Sequence, residues 1–293
     1  MKHIVWVSSY PKSGNTWVRL ILAGLFFTED GLIDEFGVLK FFPKFDRIEF
    51  YKYLKKLSET EYKILMENKK FDKRLMSIIY KYSIETQKRL YEKNKIKFFK
   101  THCARVKLDE YYYTNSKTTL GFIYIIRDPR DIVISYAKFL NQKYGDVIDY
   151  LVKGETRGEN IINGLIPEIN LSWKNNYLSW KNFNDVPSLF IKYEDLINNF
   201  HEEVQKIVFF LKNKLNLEIS NVDNKISNLS KTTSIEFLKG LESKKGFFEH
   251  SSKSKFKFFR SGKINQWKVE LNPIELNKIH EETEDILHQL NYL

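Results

Sequence analysis

The chain alternates between continuous apolar runs and amphipathic stretches. Residues 3–9 form an apolar run, and residues 15–27 continue with the spacing of a helix. Further apolar runs at 95–102, 119–127 and 188–196 predict buried strands. Strands that are apolar on both faces are typical of a parallel sheet covered by helices, so the pattern predicts an α/β fold. Functional residues are then expected beyond the carboxyl ends of the strands.

The remaining pattern is mostly helical. Residues 34–95 read largely as amphipathic helix and are predicted to be a helical insertion. Further helices are predicted at 128–140, 169–183, 195–212, 233–242 and 273–290. No repeat or linker divides the 293 residues, so a single domain spanning 1–293 is expected. The segments 34–95 and 140–168 depart from the sheet pattern and are expected to form lids over a substrate site.

Charge and cysteine content narrow the class of protein. The 48 Lys+Arg exceed the 37 Asp+Glu, which gives a net charge of +11. Codon bias explains this excess as well as an anionic partner does. The single cysteine rules out an intrachain disulfide and a multi-cysteine metal site. No signal-peptide or membrane-spanning pattern is found, so a cytoplasmic protein is expected, and the composition is typical of bacteria.

The sequence "SYPKSGNTW" at 9–17 joins the first predicted strand to the first helix. In a Walker A loop the lysine follows the second glycine, whereas here Lys12 precedes Gly14. The N–H groups of Gly14, Asn15 and Thr16 are expected to bind an anion at the helix N-terminus. An ordinary turn with a solvated lysine is the alternative. A lysine on the strand side of the turn can reach the leaving oxygen of a phosphate without a metal.

The loop resembles one of a known family. "YPKSGNTW" is similar to the 5′-phosphosulfate loop of the cytosolic sulfotransferases, Y-P-K-S-G-T-T-W, and differs only at Asn15. The resemblance implies 3′-phosphoadenosine 5′-phosphosulfate (PAPS) as donor and 3′-phosphoadenosine 5′-phosphate (PAP) as product. It implies a P-loop-like sheet and places Lys12, Ser13, Gly14, Asn15, Thr16 and Trp17 at the nucleotide, Trp17 at adenine.

A second motif follows the strand 119–127. "YIIRDPRDIVISYAKF" at 124–139 resembles the family's 3′-phosphate motif, which implies that Arg127 and Ser135 bind that phosphate. The alternative for Arg127 is an ion pair with Asp128 or Asp131 at the start of the next helix.

A third motif lies near the C-terminus. "KFFRSGKINQWK" at 257–268 resembles the family loop R-K-G-x-x-G-D-W-K, which implies that Arg260, Ser261 and Gly262 also contact the 3′-phosphate. Ser261 replaces the usual lysine, and Lys263 is a candidate for the missing charge.

Two shorter motifs resemble nucleotide contacts of the same family. Tyr193 in "YED" follows a predicted strand, as does the family tyrosine that approaches the nucleotide. In "TSIEFLK" the resemblance places Thr233 and Ile235 beside adenine. Ile235 stands where the family has phenylalanine, so adenine is expected to lose one aromatic partner.

The sequence "FFKTH" at 98–102 resembles the family's K-T-H and supplies candidates for catalysis. His102 is expected to be the general base, and Lys100, two residues earlier on the same strand face, to assist at the sulfuryl group. Lys12 is expected to neutralise the leaving oxygen. A buried structural histidine is the alternative for His102. No acidic metal-binding pattern is found, so the reaction is expected to need no metal.

The expected acceptor is a hydroxyl or amine of a small molecule, such as a secondary metabolite or a sugar. No nucleic-acid or membrane partner is expected. A P-loop-type nucleotide kinase and a non-catalytic polyanion-binding protein are the rival interpretations. The family's dimer segment is not found in "VELNPIELN" after Lys268, so the sequence leaves the oligomeric state open.

Overall fold

A computed structural model describes residues 2–51, 57–67, 73–93, 95–157, 165–250 and 254–293. The strands are β1 Ile4–Ser9, β2 Lys97–Thr101, β3 Lys107–Leu108, β4 Tyr111–Tyr112, β5 Thr119–Ile126, β6 Glu155–Arg157, β7 Glu168–Leu171 and β8 Ser188–Lys192. The α-helices are α1 Asn15–Phe27, α2 Glu59–Glu67, α3 Lys73–Arg89, α4 Pro129–Leu140, α5 Tyr144–Lys153, α6 Trp173–Lys181, α7 Tyr193–Asn198, α8 Phe200–Phe209, α9 Val222–Thr232, α10 Ile235–Lys245, α11 Trp267–Glu270 and α12 Pro273–Gln289.

A parallel sheet of four strands, in the order β2-β1-β5-β8, lies at the centre of the described residues. Alternate side chains of β1 enter two separate cores, with Ile4 and Trp6 on one face and Val5 and Val7 on the other. Both faces are therefore covered by helices, as the continuous apolar runs indicate. The predicted α/β fold is confirmed.

The carboxyl ends of the four strands lie at one edge of the sheet because all of them run in the same direction. The loop 10–14 follows β1, His102 follows β2, Arg127 follows β5 and Tyr193 follows β8. The topology thus brings together four of the motifs that are far apart in the sequence.

The prediction of a mostly helical segment at 34–95 is wrong over its first part. Residues Phe36–Phe41 and Ile48–Phe50 form short 3-10 turns, and among the described residues of this segment only α2 and α3 are α-helices. Between the turns, the carbonyl oxygen of Pro43 accepts the N–H of Lys100 on the edge strand β2. The unpaired donors of an edge strand hold this segment extended. Residues 52–56, 68–72 and 94 of the predicted insertion lie outside the described residues.

Two further boundaries differ from the sequence-based expectation. The predicted helix 169–183 begins as strand β7, and its helical part starts only after Ser172, whose hydroxyl accepts the N–H of Asn175. In the segment 140–168, helix α5 packs against α4 and α12 with Val147 and Leu151 fully buried. This part of the segment therefore belongs to the core, while residues 158–164 lie outside the described residues. That the segment covers the acceptor stays a prediction.

Candidate active site

A cavity of about 600 Å³ opens at the carboxyl edge of the sheet. Nearly all the predicted site residues line it: Lys12, Gly14, Asn15, Thr16, Trp17, Lys100, His102, Arg127, Ser135, Tyr193, Thr233, Ile235, Arg260, Ser261 and Gly262. Ser13 does not line the cavity. Its side chain is fully buried, and its N–H lies 3.4 Å from the carbonyl oxygen of Tyr10. The side chain of Ser13 therefore does not reach the cavity, and a contact of Ser13 with the nucleotide stays a prediction.

The turn before α1 presents backbone donors to the cavity. Gly14 precedes the helix with φ 99°, and no side chain caps the helix start. A Cβ atom on Gly14 would lie 2.6 Å from the ring of Tyr193, so both the dihedral angle and the close contact require glycine. The uncapped N–H groups of the first turn form a site for an anion.

The side chain of Asn15 points toward β1 and away from an anion in this turn. Its Nδ2 donates to the carbonyl oxygen of Val7 at 3.0 Å and to the hydroxyl of Ser9 at 3.3 Å. The resemblance places Asn15 at the nucleotide, but these two hydrogen bonds hold its side-chain amide against the strand. The backbone N–H of Asn15 remains part of the first helical turn.

His102 presents one ring nitrogen to the cavity. Its Nδ1 donates to the carbonyl oxygen of Ser9 at 2.8 Å, which places the proton on Nδ1 and leaves the Nε2 lone pair unprotonated. The hydrogen-bond contacts of the ring with the described residues are made by Nδ1, which also lies 3.2 Å from the hydroxyl of Ser9. Burial, followed by the charge of Lys100, lowers the pKa of His102 to about 3. The imidazole is therefore neutral at physiological pH.

Lys100 and Thr16 share an acidic partner that the sequence motifs do not contain. Both carboxylate oxygens of Glu249 lie near Lys100 Nζ, at 3.3 and 3.4 Å. One of them accepts the Thr16 hydroxyl at 3.0 Å and the guanidinium of the buried Arg19 at 2.7 Å. Burial, followed by the charge of Arg19, lowers the pKa of Lys100 to about 7.

Lys12 lies between two aromatic rings. Its ammonium is 4.1 Å from the ring centroid of Phe139 and 4.2 Å from that of Phe258. Lys12 has a positive φ of 66°, and its carbonyl oxygen accepts a hydrogen bond from Arg127 at 3.2 Å. These cation–π contacts hold the ammonium of Lys12 at the cavity.

Arg127 is held mainly by backbone groups and an aromatic ring. Besides the bond to Lys12, it donates to the carbonyl oxygen of Lys263 at 3.0 Å and lies over the Tyr193 ring at 4.3 Å. Arg127 also forms an ion pair with Asp131, the alternative partner, at 3.9 Å. The carboxylate of Asp131 in addition accepts the N–H groups of Asn265 and Trp267, at 2.8 and 3.1 Å. Asp131 thereby ties the third motif to the second.

Aromatic side chains form the opposite end of the cavity. Trp17 donates through Nε1 to the hydroxyl of Thr233 at 3.1 Å, which joins two of the predicted adenine residues. The ring of Trp17 stacks on Phe200, with centroids 5.9 Å apart. Phe200 and Ile235 both line the cavity. An aromatic ring from α8 is therefore available to the cavity that Ile235 lines in place of the family's phenylalanine.

The motifs whose residues line this cavity lie within a segment that matches a known protein family. The family model of the sulfotransferase domain matches residues 2–291. The chain belongs to the sulfotransferase family. The predicted family, fold and enzyme class are confirmed, and this membership argues against the kinase and the non-catalytic rivals.

Curated relatives of this sulfotransferase come from animals and plants. Sulfotransferase 1B1 of Canis lupus familiaris is 30% identical over 181 residues, a match that spans 58% of this chain and 54% of that protein. Luciferin sulfotransferase of Photinus pyralis is 26% identical over 94% of this chain and 70% of that protein. The bacterial origin stays a prediction.

Solved structures share the fold of this sulfotransferase. A mouse sulfotransferase complexed with PAP has a TM-score of 0.58 and 17% identity, and the match covers 98% of this chain and 85% of that chain. Retinol dehydratase in a complex with retinol and PAP has a TM-score of 0.60 and 19% identity, and the match covers 98% of this chain and 82% of that chain. At these identities the likeness shows the fold.

The third motif of this sulfotransferase contributes only some of its charges to the cavity. Arg260 lines the cavity and donates to the side chain of Gln266 at 3.0 Å. Lys263 is exposed and is not among the residues that line the cavity, so its charge at the 3′-phosphate stays a prediction. Its role here is the carbonyl oxygen that accepts from Arg127.

The sequence motifs missed a cluster of charges beside His102. Lys44, which lines the cavity, lies 3.2 Å from Glu168 and 3.4 Å from Asp46. Glu168 also accepts the backbone N–H of His102 at 3.2 Å. Burial alone would raise the pKa of Glu168, but the charges of Lys44 and Lys100, together with the N–H of His102, outweigh it and lower this pKa to about 2. Lys44 pairs with Lys100 on β2, and an extended segment at this position would have indicated the cluster. The sequence pattern predicts mostly helix there, so this signal was missed.

Among the described residues, no group of three or more His, Cys, Asp or Glu side chains is arranged to hold a metal ion. Within the same residues, no helix has the length and apolar character needed to cross a membrane.

Proposed function

We propose that this protein transfers a sulfuryl group from PAPS to a hydroxyl or amine of a small molecule by in-line transfer. One observation carries the proposal: Lys12, Thr16, Lys100 and His102, from two separate motifs, line one cavity at the carboxyl edge of the sheet. The cavity also fits an oxyanion, because Thr16 and Lys100 already bind the carboxylate of Glu249.

The chain's own groups supply binding and proton transfer. When bound, the donor supplies the sulfuryl group and a phosphate leaving group. The first-turn N–H groups of α1 and the Thr16 hydroxyl would hold the 5′-phosphate, and Lys12 and Lys100 would balance charge at the transferred group. Nε2 of His102 would take the proton of the acceptor.

The neutral imidazole suits this role. A low pKa in the empty site comes from burial and from the charge of Lys100. An anion next to Lys100 would offset that charge and raise the basicity of Nε2 when the donor is present. Ser9 meanwhile fixes the ring orientation through Nδ1.

The far end of the cavity would hold the nucleoside. Trp17, Thr233, Ile235 and Phe200 would enclose adenine, and Tyr193 packs beneath the turn at Gly14. Arg127, Ser135, Arg260, Ser261 and Gly262 would hold the 3′-phosphate, and each lines the cavity.

The acceptor is proposed to be a small molecule. Relatives are named for luciferin and for flavonol, and a structural neighbour binds retinol. A cytoplasmic location is part of the proposal, because one relative is named a cytosolic sulfotransferase.

The decisive experiment is mass spectrometry of reactions that contain PAPS and a panel of phenols, alcohols, amines and sugars. A product heavier by one sulfuryl group is the expected result. Binding is tested separately by thermal shift: PAP should raise the melting temperature. A shift with ATP–Mg²⁺ but none with PAP would contradict the proposal and favour a kinase.

A further inference from the structure

A glutamate from a distant part of the chain contacts two side chains of the candidate anion site. Glu249 follows helix α10, and its side chain is only 20% exposed. One carboxylate oxygen accepts hydrogen bonds from the Thr16 hydroxyl and from Arg19, and both oxygens face Lys100. Two of these three partners, Thr16 and Lys100, are the groups proposed above to bind the donor.

The charges in this contact are complementary and buried. The side chains of Arg19 and Lys100 are 2% and 9% exposed, so each needs an anionic partner. Burial alone would raise the pKa of Glu249, but the charges of Lys100 and Arg19 outweigh it and hold this pKa well below its usual range. The carboxylate is therefore ionised and compensates both cations while no other anion is present.

A phosphosulfate group and this carboxylate cannot use the same donors together. The Thr16 hydroxyl has one proton to donate, and it is already directed at Glu249. Two anions at one buried site also repel each other strongly. Binding of the donor therefore requires that Glu249 leave Thr16 and Lys100.

We propose that Glu249 is a built-in competitor of the donor nucleotide, which holds Thr16 and Lys100 in the empty site and releases them when the nucleotide binds. This inference rests on the proposed function, because it takes the cavity as the donor site. The Glu249 carboxylate thereby lowers the affinity for the nucleotide and keeps Arg19 and Lys100 paired between turnovers. Arg19, which contacts the same carboxylate, is the group that we expect to lose its partner on release.

The test is the dissociation constant of PAP, measured by calorimetry for the wild type and for Glu249→Gln. The neutral amide is a weaker competitor for Lys100, so PAP should bind at least about tenfold more tightly, as expected for the loss of a charge-assisted hydrogen bond. Glu236→Gln is the matched control, because Glu236 lines the same cavity but is exposed. This control should change the constant by less than about twofold, since water and salt screen an exposed charge.

Thermal unfolding gives a second readout. Without ligand, Glu249→Gln should melt at a lower temperature than the wild type, because Arg19 and Lys100 lose their anion; with saturating PAP its gain in melting temperature should exceed that of the wild type. If the variant does not fold, Glu249→Asp retains the charge with a shorter reach and should tighten PAP binding by a smaller factor. Unchanged or weaker PAP binding by a folded Glu249→Gln would overturn the inference. A wild type that binds no PAP would instead overturn the proposed function.

Discussion

Nδ1 of His102 donates a hydrogen bond to the main-chain carbonyl oxygen of Ser9, 2.8 Å away. This carbonyl oxygen lies at the end of the central strand β1, and its hydrogen bond fixes both the orientation of the imidazole ring and the position of the ring proton. The loop that begins at Ser9 also carries Lys12. The proposed base and the proposed donor cradle are therefore positioned by the same strand end.

The first prediction concerns the base itself. His102→Asn retains a side-chain N–H near Ser9 but has no basic nitrogen, so turnover should fall by roughly 10²- to 10⁴-fold. The PAP dissociation constant should stay within about threefold of the wild type, because the donor contacts are on other residues. Steady-state kinetics and calorimetry measure the two quantities. Turnover within tenfold of the wild type would place the base elsewhere.

A second prediction follows from the lowered pKa of His102. The unfolded chain takes up a proton near the ordinary value of 6.5, whereas the folded protein does so only near 3. The unfolded state therefore binds more protons as pH falls below 6.5, and stability decreases toward pH 3. Lowering the pH from 8 to 5 should therefore reduce the free energy of unfolding by about 2 kcal/mol through His102 alone.

Urea unfolding at the two pH values tests this prediction. The loss of stability in the wild type should exceed that in His102→Asn by about 2 kcal/mol. His201→Asn is the control, because His201 is exposed on α8 and should leave the wild-type loss unchanged. Equal losses in the wild type and His102→Asn would show that the imidazole is not held neutral by the fold.

The sequence was sufficient for the sheet because its strands are apolar on both faces and short. Strand β1 and helix α1 lie within one residue of their predicted bounds, and the residues after β2, β5 and β8 meet as expected. The motifs also identified most of the residues that line the cavity. These features are local in sequence, or follow from the rule that parallel strands end together.

What the sequence did not reveal depends on long-range contacts. Glu249 lies 230 positions from Arg19 in the chain, and nothing in "GFFEH" distinguishes it from other surface glutamates. Pro43 and Lys44 lie in the segment 34–95, whose spacing predicts mostly helix. In the structure the N–H of Lys100 donates a hydrogen bond to the carbonyl oxygen of Pro43, which keeps this part of the segment extended beside β2. Asn15 was expected to face the anion, but β1 offers its amide two closer acceptors.

A third prediction concerns the turn at Gly14. Gly14→Ala should reduce stability by about 1–3 kcal/mol and abolish measurable PAP binding, because alanine is strained at φ 99° and its Cβ would meet Tyr193. Gly240→Ala is the matched control: Gly240 lies in helix α10 with no atom within 4 Å of an added Cβ, and this change should stabilise the protein by up to about 1 kcal/mol. Chemical unfolding and calorimetry report both effects. Normal PAP binding by Gly14→Ala would show that the turn does not cradle the anion.

A fourth prediction is that the reaction needs no metal ion. Lys12 and Lys100 supply two ammonium groups at the proposed place of the transferred group, where kinases use magnesium. EDTA should leave the rate of sulfuryl transfer unchanged, and added Mg²⁺ should not raise it. Loss of most activity in EDTA, with recovery on adding a metal, would refute this expectation.

The last prediction uses the lowered pKa of Lys100. In the empty site this ammonium begins to lose its proton near pH 7, because burial and the charge of Arg19 disfavour the charged form. A bound anion favours the charged form, so the pKa of Lys100 should rise on binding and the complex should retain the proton at higher pH. The PAP dissociation constant should consequently increase between pH 7.5 and 9, by up to about tenfold per pH unit.

The phosphates of PAP are already fully ionised above pH 7.5, so their own titration does not contribute to this slope. Lys100→Met removes the titrating group and should bind PAP more weakly at pH 7 but with little dependence on pH. Calorimetry at four pH values for both proteins separates the two cases. A slope that persists in Lys100→Met would assign the titration to another group. A flat profile in the wild type would mean that Lys100 remains charged without the nucleotide, because the charge of Glu249 favours the ammonium more strongly than burial disfavours it.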